Sequence, residues 1–254
     1  MRKEHYTFDN FVISDGNKEA CLAAKYVASD SSGQPAFLCI CGGGPGTGKT
    51  HLLRAIENDI IGSCEGGNVR YVTADDFTSE LIAALKDEKK EEFYKKYREP
   101  DVLLVDDVHT LAGRKTTQEE LFFILKELYD SGKKVVLAVD SAKVQTAEFG
   151  KKLREHFEYG DAVTLNAPDL DGRARILENK LKELTEGSRK SYAADDLRDV
   201  LEYIAEKESA DMRRLTGALA RVAACAELLD QEINKKLAEE ILDKEDCLSD
   251  NAVI

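Results

Sequence analysis

The run Gly43-Gly44-Pro45-Gly46-Thr47-Gly48-Lys49-Thr50 constrains this chain more than any other feature of it. Its spacing is G-x4-G-K-[ST], and it lies directly between an apolar run and a helical pattern. Glycines let backbone N–H groups turn inward around a phosphate, and the start of a helix adds further N–H donors and a favourable dipole. In such a loop Lys49 reaches the β- and γ-phosphates of a nucleoside triphosphate, and Thr50 holds magnesium. A glycine-rich turn with a chance lysine would share the composition but not the strand–loop–helix setting.

Short apolar runs alternate with helical patterns, which predicts a parallel sheet covered by helices on both faces. Strands are predicted at 36–41, 69–73, 102–106, 134–139 and 162–165, and helices at about 18–28, 50–60, 75–85, 117–129 and 148–157. Val102-Leu103-Leu104-Val105 and Val135-Val136-Leu137-Ala138-Val139 are continuously apolar, as central parallel strands must be. After Pro168 the strand signal stops, and helical patterns follow at 170–184, 194–207, 211–229 and 235–242. In the third of these, Met212, Leu215, Leu219, Val222, Ala226 and Leu229 recur at steps of three and four, giving one apolar stripe. The expectation is an α/β domain over 1–167 and a small helical domain over 168–254, with surface loops at 62–67 and 187–191.

Asp106 and Asp107 end the third strand, at the carboxyl edge of the sheet where the phosphate loop also opens. Alone, an Asp-Asp pair could be a cap or a turn. Beside the loop, Asp106 reads as a magnesium ligand and Asp107 as the group that polarises an attacking water. Asp140 closes the next strand at the same edge; spacing alone reads it equally as a γ-phosphate contact or a turn residue. Arg213, at the start of a helix, reads on its own as a solvated arginine.

The 254 residues carry a net charge of −13, opposite in sign to what a strong, unaided duplex-DNA binder needs. No apolar run is long enough to span a bilayer and no leader peptide is visible, so a cytoplasmic location is expected. Six cysteines, at 21, 39, 41, 64, 225 and 247, show no C-x2-C spacing and are expected to be reduced. Cys39 and Cys41 share one face of a strand, where packing as small buried hydrophobes is expected ahead of a metal or disulfide role.

The chain also resembles the AAA+ ATPase module of the DnaA family of bacterial replication initiators. The resemblance rests on Tyr6-Thr7-Phe8-Asp9-Asn10-Phe11-Val12, the phosphate loop with His51-Leu52-Leu53, Tyr71-Val72-Thr73, the segment 93–98, Val102 to Asp107, Thr117-Gln118-Glu119-Glu120 and the segment 213–219, covering about 5–243. It implies an αβα sandwich with a five-stranded parallel sheet and a helical lid, binding ATP or ADP with Mg2+. It further implies that Phe11 and Val12 pack the adenine, that His51 belongs to the nucleotide site, that Asp140 is the sensor 1 aspartate and that Arg213 is the sensor 2 arginine. Ile82 and Arg114 match positions through which the family's helical insertion contacts single-stranded DNA, while another basic position of that insertion holds Thr116.

Three departures bear on function. The family's arginine-finger segment reads Lys152-Leu153-Arg154-Glu155-His156-Phe157 here, so the finger position holds His156. Neither a helix-turn-helix domain nor an amino-terminal helicase-interaction domain is expected within the sequence. The first reading is therefore an initiator or regulator, resembling DnaA or Hda, whose ATP state controls assembly with itself or with a replication initiator. The second is an interaction module, or a relative of the DnaC helicase loader, that keeps ATP with little turnover. A neutral imidazole lacks the bidentate, permanently charged fork of arginine. Fingers supplied in trans contribute about 10³–10⁵ in rate in other P-loop enzymes. The ATPase rate per molecule should accordingly rise little with protein concentration, and His156→Arg should introduce a rise. A parent enzyme with steep concentration dependence that Arg154→Ala abolishes would place the finger at Arg154 instead.

Overall fold

The structure, a computed structural model, describes residues 6–29, 36–44, 46–63, 67–140, 161–185, 194–208 and 211–249. The chain divides into two compact units, Met1–Ala167 and Pro168–Ile254. The predicted helix at 148–157, His156, and the loop at 187–191 lie outside the described residues.

In the first unit the elements run α1 (Lys18–Ala28), β1 (Ala36–Gly42), α2 (Lys49–Gly62), β2 (Val69–Thr73), α3 (Ala74–Lys86), α4 (Lys90–Arg98), β3 (Val102–Asp106), a 3-10 turn (Val108–Leu111), α5 (Lys115–Asp130), β4 (Lys134–Asp140) and β5 (Asp161–Leu165). The five strands form one sheet in the order β2-β3-β4-β1-β5, with every pairing parallel. Alternation along each strand distributes the side chains between two cores. Leu103, Val105, Val135, Leu137 and Val139 join Phe77, Leu81, Phe93, Tyr97, Leu121 and Leu125 on one face. Val102, Leu104, Val136 and Ala138 join Ala20, Ala24, Leu52, Leu53 and Ile56 on the other. The unbroken apolar runs in β3 and β4 thus serve two cores at once.

Two features depart from the sequence reading. Helix α4 has the sequence KEEFYKKYR, and only Phe93 and Tyr97 are buried in it. Two apolar residues four apart give too narrow a stripe to register as periodicity among seven polar or half-buried neighbours. Gly62 closes α2 rather than opening a loop, because the apolar face of that helix continues to Ile60.

The second unit comprises α6 (Leu170–Thr185), α7 (Ala194–Lys207), α8 (Met212–Leu228) and α9 (Lys235–Ser249). Its core unites Leu177 and Leu181 with Val200, Ile204, Leu215, Leu219, Val222, Ala226, Ile233, Leu237 and Leu242. Asp211 caps α8 by accepting from the Arg213 N–H at 2.8 Å. Leu229, expected in the apolar stripe of α8, is 59 % exposed. The helix ends at Leu228, and although the Leu229 N–H still bonds the Cys225 carbonyl four residues back, the side chain lies past the last covered turn. Helix α9 runs on past the predicted end at 242. Among the described residues no helix is long and apolar enough to cross a membrane.

Candidate nucleotide-binding site

The site is built at the carboxyl edge of the sheet, where β1 passes into α2. Strand register sets Gly42 opposite Asp140 on one side and Leu165 on the other, and Thr73 opposite Asp106. Between Gly42 and α2 the backbone takes positive φ at Gly44 (86°), Gly46 (75°) and Gly48 (106°). Left-handed residues set between others point successive N–H groups into one concavity, an arrangement that attracts anions. Gly42 and Gly48 are closely packed, so a side chain at either would press on its neighbours. A Cβ at Gly42 would stand 3.0 Å from Thr47 Oγ1 and 3.1 Å from the Leu165 carbonyl oxygen, and one at Gly48 would stand 3.1 Å from Cε2 of Phe11. Pro45 lies outside the described residues.

Lys49 folds back across the loop, its Nζ donating to the Gly44 carbonyl at 2.9 Å and to Thr47 Oγ1 at 3.3 Å. Lys49 and Thr47 are both buried, whereas Thr50, one residue on, is exposed. An ammonium held over a loop with three left-handed glycines is a setting that suits an anion such as phosphate.

His51 faces the amino-terminal segment. Its Nε2 meets the Thr7 carbonyl at 2.9 Å, and its ring lies edge-on to Tyr6 and to Phe11, each with centroids 5.1 Å apart. Asn58 donates to the Tyr6 carbonyl at 2.7 Å, so α2 holds the amino-terminal segment at two points. Thr7 and Asn10 close a reciprocal turn, the Thr7 N–H donating to Asn10 Oδ1 and the Asn10 N–H to Thr7 Oγ1. Phe11 is thereby delivered, buried, beside Gly48, and Val12 next to it in sequence is buried as well.

Asp106 is almost wholly buried, with both carboxylate oxygens engaged. Oδ1 accepts the Asp107 N–H at 2.9 Å and Oδ2 accepts the Tyr71 hydroxyl at 2.8 Å. Burial and the Asp106 carboxylate push the Tyr71 phenol far above its ordinary range, so it remains a donor. The Arg54 guanidinium stacks 3.3 Å from the Tyr71 ring centroid and is itself held by Glu57 at 2.6 Å. Tyr71, Arg54 and Glu57 therefore fix the carboxylate, and sequence spacing gave no sign of them. A carboxylate has about four lone-pair sites, so two accepted bonds leave room for a metal or its water.

Asp107 sits in the left-handed region at φ 53°, with its side chain half exposed and Oδ1 3.9 Å from Nδ1 of His109. Asp140 is buried at the end of β4. Arg213 lies in the second unit, 73 % exposed along its side chain, with Nε 3.5 Å from Asp211 Oδ1. Among the described residues no group of three or more His, Cys, Asp or Glu is arranged to hold a metal ion. Magnesium suits that inventory, because it is commonly bound through one or two protein oxygens together with phosphates and water.

Residues 2–164 match the family described as the bacterial DnaA ATPase domain. This chain belongs to that family. It is 38 % identical over 239 residues to the chromosomal replication initiator protein DnaA of Caldanaerobacter subterraneus subsp. tengcongensis, covering 93 % of this chain and 52 % of that protein. The chain thus spans about half the length of this DnaA relative. Domain III of the Thermotoga maritima DnaA superposes with a TM-score of 0.82 at 35 % identity, over 94 % of this chain and 96 % of that one. A replication initiator DnaA bound to AMPPCP and single-stranded DNA superposes with a TM-score of 0.72 at 30 % identity, over 89 % and 68 % of the two chains. The five-stranded parallel sheet with a helical carboxyl-terminal region is the DnaA AAA+ architecture.

In this DnaA-family site Tyr71→Phe should lower stability by about 1–3 kcal/mol, because it strips a buried, charged acceptor of its hydroxyl donor. Urea unfolding of parent and variant checks this; equal midpoints and slopes would show that the Tyr71–Asp106 bond contributes nothing.

Proposed function

We propose that this chain binds ATP with magnesium in the loop at 43–50 and acts in initiation of bacterial DNA replication or its regulation, the ATP or ADP state controlling assembly. The observation that carries the reading is the buried Lys49 ammonium lying across a loop with three left-handed glycines, with Asp106 and Asp140 ending neighbouring strands at the same edge. A DnaA that carries AMPPCP superposes on this fold.

In this reading Lys49 exchanges the Gly44 carbonyl and Thr47 for the β- and γ-phosphates, and the N–H groups of the loop and of α2 take the remaining phosphate oxygens. Thr50 and Asp106 hold the magnesium, which when bound neutralises charge on the phosphates. Asp107 orients the attacking water, and its half-exposed carboxylate is accessible to one. Asp140 contacts the γ-phosphate and Phe11 and Val12 pack the adenine, while Arg213 has the sensor 2 role that the family resemblance gives it. His51 contributes indirectly, by holding the segment that carries Phe11.

A second activity of the same assembly is a weak single-strand contact. Ile82 is 47 % exposed and Leu85 39 % exposed on α3, while Arg114 at the amino end of α5 is bound to Asp75 at 2.7 Å. Arg114 meets Asp75 and Thr78 through one nitrogen, which leaves other donors for a phosphate, but the net charge of −13 opposes binding to one copy. Several copies in line are needed, so ATP should be needed too. Self-assembly or a replication initiator is the expected protein partner.

Lys49→Ala should weaken ATP binding at least tenfold by calorimetry, and Asp106→Ala should make the remaining affinity insensitive to EDTA. Unchanged ATP affinity in the first variant would remove the phosphate-loop assignment; equal EDTA effects in parent and second variant would remove Asp106 as the metal ligand. Single-stranded DNA should bind in ATP and not in ADP, with Ile82→Ala and Arg114→Ala each weakening it. Tight binding by the ADP-bound monomer in moderate salt would contradict the need for assembly.

A further inference from the structure

The last residues of β1 hold a second piece of chemistry that nucleotide binding does not use. Cys39 and Cys41 point to the same face of the strand, and their Sγ atoms lie 3.5 Å apart. Cys39 is fully buried; Cys41 is only partly buried and stands one residue before Gly42, at the root of the phosphate loop. We propose that Cys39 and Cys41 form a reversible oxidation site for hydroperoxides, with Cys41 the attacking sulfur and Cys39 the resolving one.

The asymmetry of the pair assigns the roles. The Cys39 contact holds the Cys41 thiol below its ordinary range, and the nearby Lys49 ammonium helps while burial opposes. The same contact, with burial, pushes Cys39 well up. Cys41, the partly buried sulfur, is the one an oxidant can reach, and Cys39, buried behind it, is placed to resolve it. A thiolate-prone, partly accessible cysteine beside a buried second thiol is the arrangement found at redox-responsive sites.

The chemistry balances with hydrogen peroxide as oxidant. The Cys41 thiolate attacks one peroxide oxygen, forming an S–O bond as the O–O bond breaks. The departing hydroxide takes a proton and leaves as water, and the sulfur has lost two electrons to the peroxide. Cys39 then gives up its proton and attacks the Cys41 sulfur, forming the S–S bond and breaking the S–O bond, and a second water leaves. Two residues along a strand stand about 6.6 Å apart at Cα, the wide end of the range a disulfide spans, and a disulfide also draws its Cβ atoms to about 4 Å, so closing it bends β1 at Ile40. A bond closed under that constraint reduces easily, which makes the site reversible.

Sub-stoichiometric peroxide followed by intact-mass measurement and peptide mapping tests this without any nucleotide. The parent should lose two hydrogens, with the cross-link mapped between Cys39 and Cys41 and reversed by dithiothreitol. Cys39→Ser, or Cys39→Ala if serine unfolds the strand, should stop at a Cys41 sulfenic acid that dimedone captures. Cys41→Ser should lose the two hydrogens at least tenfold more slowly. In the parent, iodoacetamide should label Cys41 at least tenfold faster than the free Cys225. Equal labelling of Cys41 and Cys225, a cross-link elsewhere, or parent-like oxidation of Cys41→Ser would overturn the proposal. Failure of ATP binding in the reduced parent would count against the phosphate-loop reading and leave the thiol pair standing.

Discussion

The parallel ladder from β3 through β4 to β1 and β5 governs everything else in the first unit. Each of these strands alternates its side chains between two cores, so a slip of one residue would exchange the contents of both. The same register brings Gly42, Asp140 and Leu165 level at one edge, and Asp106 level with Thr73. The positions of the loop and the acidic residues are consequences of hydrophobic burial far from any phosphate. Chemistry at the edge inherits its geometry from the apolar runs behind it.

On that frame the polar groups are held by a few specific bonds. Asp106 is fixed through Tyr71, Arg54 and Glu57, a chain crossing from β3 to β2 to α2. Lys49 is held by its own loop. These are different kinds of restraint. The first costs nothing to keep when a ligand arrives, because Asp106 has lone pairs to spare; the second must be exchanged, because the Lys49 contacts use the ammonium protons that phosphates would take.

The strands and the glycine-rich loop between β1 and α2 were legible in the sequence because each depends on local pattern: unbroken apolar runs, glycines at fixed offsets, a lysine at the start of a helix. Strands β2 and β3 and helices α1 and α7 have the expected bounds, and other described elements differ mainly at their ends. What was not legible depends on residues distant in sequence. Tyr71 looks like an ordinary strand aromatic until β2 is laid beside β3. His51 reads as part of the nucleotide motif by position, and its contacts with Thr7, Tyr6 and Phe11, some forty residues earlier, show only once the chain is folded. Helix α4 escaped because its two buried aromatics are outnumbered by charges. Arg213 could be placed on its helix by pattern, but its bearing on a nucleotide rests on the family resemblance.

The packing of Phe11 against Gly48 bears on how portable the phosphate loop is. Gly48 has no side chain with which to shield itself, and its shelter comes from a ring thirty-seven positions earlier in the chain (Phe11 to Gly48), delivered by the Thr7–Asn10 turn and tied down by His51 and Asn58. The strand–loop–helix segment is therefore not a self-sufficient module. Transplanted into another sheet with its glycines and lysine intact, it would carry the right backbone pattern and an uncovered hinge. The functional unit, in the sense of the smallest piece that could be moved whole, includes the chain's opening segment.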